Sequence, residues 1–412
     1  MDKLVYWIWL SLCCTPDSLS FKKLNERYKG AEEIFGAEDY ELRSILGSRS
    51  SDCTRLREKK LDRAIQILDF CKKKNVGIVT FADEDYPSPL REISSPPPVL
   101  YYRGRLPHFK RAFFASVVGA RKLSAGGRIN AFRIGHDLAA AGATVVSGMA
   151  IGVDGVALAG AISGGGYTVA VIGSGIDVCY PPEHRRLAQE IVKNGCVITE
   201  FAPGTKPSRF NFPKRNRVIS ALSAVTVVVE GTERSGALTT ARYAKEQGRK
   251  VYAFPGNVSE PNSQLPNLLI KNGATLCTGA DDIVRDFEKE YSGILNPFAM
   301  ANAPMPNMNT VLSDLKVSAV APSDRIFAPS GNKKQRITMT ELNDNSQAQK
   351  ELPENFNKEA LKIYKKIPIG EAVALEALVD ADTPLRAVMK SLLKLEMGRF
   401  VEMLPGDRVK RI

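Results

Sequence analysis

The sequence predicts an α/β protein built around a mostly parallel sheet. Three observations carry this. Between Phe113 and Gly279 seven short runs rich in β-branched residues recur, FFASVVG, TVVSG, TVAVIGSG, CVITEF, AVTVVVE, KVYAFPG and ATLCTG. They are almost continuously apolar, as strands covered on both faces must be. Stretches with helical periodicity lie between them, and most runs end on glycine or small polar residues. The fold class is therefore a Rossmann-like, doubly wound sheet over residues 113–290.

The remaining elements follow in chain order. Residues 1–75 carry helical periods broken by polar residues: Leu4 to Cys14, Ser20 to Tyr28, Ala31 to Phe35, a segment near Leu42, and Leu56 to Lys73. The first of these is too short to span a bilayer and lacks a small-x-small cleavage site, so it reads as a buried helix. The turn Thr15-Pro16-Asp17-Ser18 lacks the Gly-x-Gly that a DNA-binding helical hairpin would carry. Protein contact or packing suits it better. Residues 76–112, with Pro87, Pro89 and Pro96-Pro97-Pro98, read as an extended connector leading into the sheet. Residues 291–355, interrupted by Pro297, Pro304, Pro306, Pro322, Pro329 and Pro353, read as a flexible linker. Residues 356–412 give helix (359–366), helix (371–378), helix (to Met397) and hairpin, a winged-helix order. The wide apolar stripe of the third helix suits a partner or self-docking role better than base reading.

Composition narrows the function. The chain has 412 residues, 44% hydrophobic and 25% charged, with a formal charge of +12. That balance fits two or three globular domains and an anionic partner. Seven cysteines, an odd number without a CxxC pair, read as free thiols in a reducing cytosol. Three histidines in unrelated contexts leave little material for a metal centre or a catalytic triad.

The richest stretch is Arg209 to Arg217, RFNFPKRNR. It holds Arg209, Lys214, Arg215 and Arg217, the rings of Phe210 and Phe212, and the amides of Asn211 and Asn216, without a carboxylate. Cations neutralise phosphates and aromatic faces stack on unpaired bases. Alone, these residues also fit a solvated basic loop. Context favours the strand site, because ligands of such folds sit at the carboxyl ends of the strands. Gly119, Arg121 and Ser124 follow the first strand, Ser147 and Gly148 the second, Gly173 and Gly175 the third, Arg209, Phe212, Lys214, Arg215, Asn216 and Arg217 of the basic stretch the fourth, and Ser235 and Gly236 the fifth. These are the candidate DNA-binding residues. Pro213 is expected to hold Phe212 extended, presenting its ring for stacking. Asp154 and Asp177 fit helix capping or turn formation better than catalysis. No GxGxxG spacing and no GxxxxGK[ST] is present, and no cofactor, metal or catalytic residue is expected.

These motifs identify a resemblance. The segments YPSPLREISSPPPVLYYRG (86–104), VVGAR (117–121), VVSGMAIGVD (145–154), VAVIGSGIDVCYP (169–181), FPKRNRVISALS (212–223), VVVEGTERSGALTTA (227–241), FPGN (254–257) and NLLIKNGA (267–274) resemble the DNA-processing protein A (DprA/Smf) family. The chain departs from the family pattern at Leu158, where a histidine is common, and at Leu265-Pro266-Asn267. The resemblance implies a cytosolic homodimer that binds and protects single-stranded DNA and helps load a RecA-type recombinase, notably in natural transformation, without catalytic turnover. It also implies a sterile-alpha-motif-like first domain and a winged-helix last domain. Gly119, Arg121 and Ser124 would grip phosphate; Arg209, Phe212, Arg215, Asn216 and Arg217 would contact the strand. The alternative is a Rossmann-like nucleotide hydrolase of the lysine-decarboxylase-like, phosphoribohydrolase kind. Such enzymes carry PGGxGTxxE where this chain has Glu230-Gly231-Thr232-Glu233-Arg234-Ser235-Gly236, so the missing glycines count against it.

Overall fold

A computed structural model describes residues 2–318 and, further on, 362–364, 366–367, 372–380, 383–397, 401–404 and 408–411. The chain divides into two units, Met1–Ala328 and Pro329–Ile412.

The first unit opens with six helices, Lys3–Cys13, Ser20–Arg27, Ala31–Gly36, Asp39–Leu46, Ser51–Arg57 and Asp62–Lys74. Burial of Trp7, Ile8, Trp9 and Leu10 makes the first of them the centre of this layer. The single helix expected over 56–73 is two helices. Lys59 turns the chain with a left-handed φ of 45° within a charged run that has no apolar face to bury.

Nine strands form the main sheet: β1 Gly77–Thr80, β2 Val99–Gly104, β3 Phe114–Val118, β4 Thr144–Ser147, β5 Thr168–Val171, β6 Gly195–Thr199, β7 Val225–Val228, β8 Lys250–Ala253 and β9 Thr275–Leu276. Their spatial order is β1-β2-β6-β5-β4-β3-β7-β8-β9. β3 to β9 run parallel; β2 is antiparallel to both β1 and β6. The region read as a proline-rich connector therefore contributes two strands. Its proline cluster ends at Pro98, and the Val-Leu-Tyr-Tyr run that follows, before Pro107, pairs along β6, Tyr101 opposite Thr199.

From β3 the chain winds outward through β4, β5 and β6, then returns to the other side of β3 as β7. The winding direction thus reverses between β3 and β7, and ligands of open α/β sheets lie in the crevice outside such a point. Helices Ala125–Ala140 and Val153–Ser163 cover one face at backbone contact. A Cβ on Gly135 would lie 2.1 Å from the Ala157 carbonyl oxygen, so this crossing requires glycine.

Two further helices, Pro297–Asn302 and Met308–Asp314, lie where a linker was expected to begin. Asn296 and Asn307 cap them by accepting from the Ala299 and Thr310 amides, and Pro297 stands in the first turn. These residues start helices here, as asparagine caps and first-turn prolines do. Leu312 and Leu315 anchor the segment in the core. Residues 319–355 of the expected linker lie outside the described residues.

In the second unit, β10 Ala372–Ala374, β11 Val401–Leu404 and β12 Arg408–Arg411 form a sheet in the order β10-β12-β11, beside helix Leu385–Met397. The helix expected over 371–378 is instead β10 followed by a 3-10 turn, Leu375–Leu378. Pairing with β12, Val373 opposite Val409, overrides the helical propensity of an alanine-rich segment. Of the helix expected over 359–366, residues 362–364 and 366 are described, all helical. Among the described residues of the whole chain, no helix is long and apolar enough to cross a membrane.

Candidate nucleic-acid interface

The reversal point opens into a cleft of about 620 Å³ at the carboxyl ends of the parallel strands. It draws Gly119 to Lys122 from the loop after β3, Ala150 and Asp154 from behind β4, and Thr232, Arg234, Ser235 and Gly236 from behind β7. The fourth wall is helix Asn211–Ala221, which follows β6. Phe212, Arg215, Asn216 and Ile219 line the cleft at spacings of three, four and seven, one face of a helix. The lining carries five cationic side chains (Arg121, Lys122, Arg209, Arg215, Arg234) against one carboxylate, Asp154, so it selects an anion.

The start of this helix departs from expectation. Phe212 lies in the first helical turn, because Pro213 falls where its missing N–H is not needed. The ring is half-buried and held from several sides. A Cβ on Gly173 would come within 2.9 Å of it, and the Tyr180 ring lies at 5.4 Å, tilted by 34°. The guanidinium of Arg121 stands 5.4 Å from its centroid and that of Arg215 5.9 Å. Phe210, left out of the expected contacts, is the more exposed ring at 65%, with Arg209 at 4.9 Å. Its signal was present in the Arg-Phe-Asn-Phe order. Lys122 and Arg234 were also passed over, though each stands beside a residue that was chosen.

Arg215 forms the cleft floor. Its Nη1 donates to the Gly148 carbonyl at 2.8 Å and to that of Val171, and its Nε to the Asn216 amide oxygen at 3.1 Å. Gly148 is hemmed in: a Cβ there would lie 2.5 Å from both Arg215 Nη2 and Asp154 Oδ2. Burial draws the Arg215 pKa down to about 10; Asp154 opposes this and the Arg121 charge adds to it. Arg215 therefore stays cationic at neutral pH. Burial likewise pushes the Asp154 carboxyl up, and Arg215 pulls against it.

Several expected contacts have other duties. Arg217 is 2% exposed and pairs bidentately with Glu200, 2.7 Å from each nitrogen to oxygen. Lying two residues beyond Arg215, about 200° around the helix, it faces away from the cleft. The phosphate contact assigned to it is thereby corrected. Ser124 caps helix Ala125–Ala140, accepting from the Gly127 amide, while its own amide and hydroxyl donate to Glu230. Asn262 Nδ2 lies 3.3 Å from the same carboxylate. The helix start expected to take phosphate thus already holds an anion, the protein's own Glu230. Ser147 is buried, donating to the Val117 carbonyl. Gly173 supports Phe212 from below, and Gly175 bonds to the Thr205 carbonyl. Neither these three nor Lys214 is among the cleft-lining residues.

One helix start that faces the cleft is Gly236–Glu246. Its cap residue Ser235 makes no side-chain capping bond, and the buried Ser235 Oγ has no hydrogen-bond partner. Ser235, Gly236 and Ala237 line the cleft, where first-turn amides and the helix dipole favour negative charge.

Fold and site together define a doubly wound α/β protein with a basic, aromatic cleft at the reversal of its sheet. The chain belongs to the DNA recombination-mediator protein A family, whose sequence model matches residues 77–288. It is 30% identical to Protein Smf of Synechocystis sp. over 98% of each chain. To DNA processing protein DprA of Streptococcus pneumoniae it is 36% identical, over 60% of this chain and 86% of that one. The X-ray structure of DNA processing protein A from the same species matches with a TM-score of 0.59 at 33% identity, covering 69% of this chain and 98% of its own. The family resemblance read from the motifs therefore holds.

Proposed function

We propose that this cleft binds single-stranded DNA and that the protein protects the strand and passes it to a RecA-type recombinase. The carrying observation is two phenylalanine rings flanked by arginine, the half-buried Phe212 lining the cationic cleft and the exposed Phe210 against Arg209, which lines it too. A strand offers phosphates to the cations and unpaired base faces to the rings; a duplex has already stacked those faces. Arg121, Arg209 and the Gly236 helix start supply the phosphate contacts, Phe212 and Phe210 the stacking, and Arg215 with Asn216 the fixed floor. Relatives named for DNA processing support the same reading. Cytoplasmic location, homodimer formation, a place in DNA uptake, a SAM-like first domain and a winged-helix last domain belong to this proposal. So does the absence of turnover, which the missing glycines of Glu230 to Gly236 favour.

Anisotropy with labelled single-stranded and duplex oligonucleotides, beside a nucleotide-turnover assay, tests this. The expected result is a strong preference for the single strand with no turnover. Equal binding of both forms, or hydrolysis of a nucleotide, would contradict it.

A further inference from the structure

The turn Thr15-Pro16-Asp17-Ser18 joins the first two helices, and Asp52 ties it down from within the helical region. The Asp52 carboxylate accepts from the Thr15 amide at 3.1 Å, the Thr15 hydroxyl at 2.6 Å and the Ser18 hydroxyl at 2.9 Å. So held, the turn keeps Asp17 at a left-handed φ of 69°, a turn conformation that aspartate tolerates better than most side chains. The carboxylate it presents does not face solvent alone. Oδ2 accepts from the Tyr243 hydroxyl at 2.9 Å; Oδ1 accepts from Ser95 Oγ at 3.3 Å and lies 3.7 Å from Arg217 Nε.

Those partners matter through the elements that carry them. Arg217 belongs to helix Asn211–Ala221, whose opposite face presents Phe212 and Arg215 to the cleft. Tyr243 belongs to helix Gly236–Glu246, whose first turn lines the same cleft. One carboxylate from the helical region therefore grips both site helices from behind. Gln247 joins the two helices further along, donating to the Arg217 carbonyl at 3.0 Å and accepting from the Ser220 hydroxyl at 2.7 Å.

We propose that Asp17 is a positioning residue for the strand site: through Arg217 and Tyr243 it sets the spacing of the two helices that form the cleft. The N-terminal helical region then acts on strand binding as a support behind the cleft, without touching DNA itself. This rests on the reading of the cleft as a single-strand site. The mechanism is preorganisation. A cleft whose walls are already spaced for the strand loses less freedom on binding than one whose walls drift.

The test uses the full chain and the variants Asp17→Ala and Tyr243→Phe, which remove opposite halves of one hydrogen bond. Tyr243→Phe is expected to weaken single-strand binding by about threefold to tenfold, the factor one hydrogen bond supplies, and Asp17→Ala, which also loses Ser95 and Arg217, by at least as much. The double variant should lose little more than Asp17→Ala alone, because Tyr243→Phe removes a contact that Asp17→Ala has already broken. The salt slope should stay unchanged, since no phosphate contact is removed. Hydrogen exchange in 211–221 and 236–246 should quicken in both variants. Tyr243→Phe is conservative enough to keep the test open if Asp17→Ala folds poorly. Wild-type affinity in the folded variants, or unaltered exchange in both helices, would overturn the proposal. A wild-type chain that fails to bind strands, with exchange quickened in the variants, would remove the single-strand reading while leaving the clasp intact.

Discussion

Replacing Arg217 by methionine is expected to destabilise the folded chain by about 3–5 kcal/mol, the cost of breaking a buried ion pair from one side. The Glu200 side chain is 5% exposed and would lose the bidentate partner that justifies its charge there. Methionine fills much of the volume, so packing is largely kept and the loss reports the stranded carboxylate. Urea denaturation measures it. A change within about 0.5 kcal/mol, as for an ordinary surface substitution, together with a reduced salt slope for strand binding, would mean that Arg217 swings out to meet phosphate and that the pairing with Glu200 is not its role.

Phe212→Ala is expected to weaken single-strand binding by roughly 1–3 kcal/mol, about fivefold to 150-fold, the range for one base–aromatic contact. The salt slope should hardly move, because no charge is lost. The ring is half-buried against Tyr180, so stability should also fall, but by less than the ~3–5 kcal/mol of a fully buried phenylalanine. Measuring affinity per folded molecule separates the two effects. Unaltered affinity beside a large drop in melting temperature would make Phe212 a packing residue only.

The parallel core of this fold was open to sequence reasoning, since β3 to β8 are short, β-branched and covered on both faces, which leaves little else for such runs to become. β2 was hidden by the prolines around it, although Val99-Leu100-Tyr101-Tyr102 is a strand-forming run, and β1 by its brevity, four residues that open on glycine. The helices at 297–302 and 308–314 were hidden in the same way, because asparagine and proline start a helix as readily as they interrupt one. In the site, the sequence indicated the loops that meet but not the side each residue faces. Arg215 and Arg217 have the same chemistry two positions apart; only once 211–221 is known to be a helix do they part, one to the cleft floor and one to Glu200. Ser124 shows a second limit. Its place at a helix start was readable, but Glu230, 106 residues later, takes the anion position, and no local pattern announces a contact that distant.

Salt dependence of single-strand affinity tests the central claim most directly. If the cleft binds through phosphate neutralisation, log affinity should fall linearly with log salt, by about 0.7 per phosphate contacted. Arg121 and Arg209 are exposed at the cleft and flank its two phenylalanines, so replacing either by alanine should flatten that slope by close to one contact. An affinity and a slope that remain at wild-type values in both variants would show that the strand, if bound at all, is bound elsewhere.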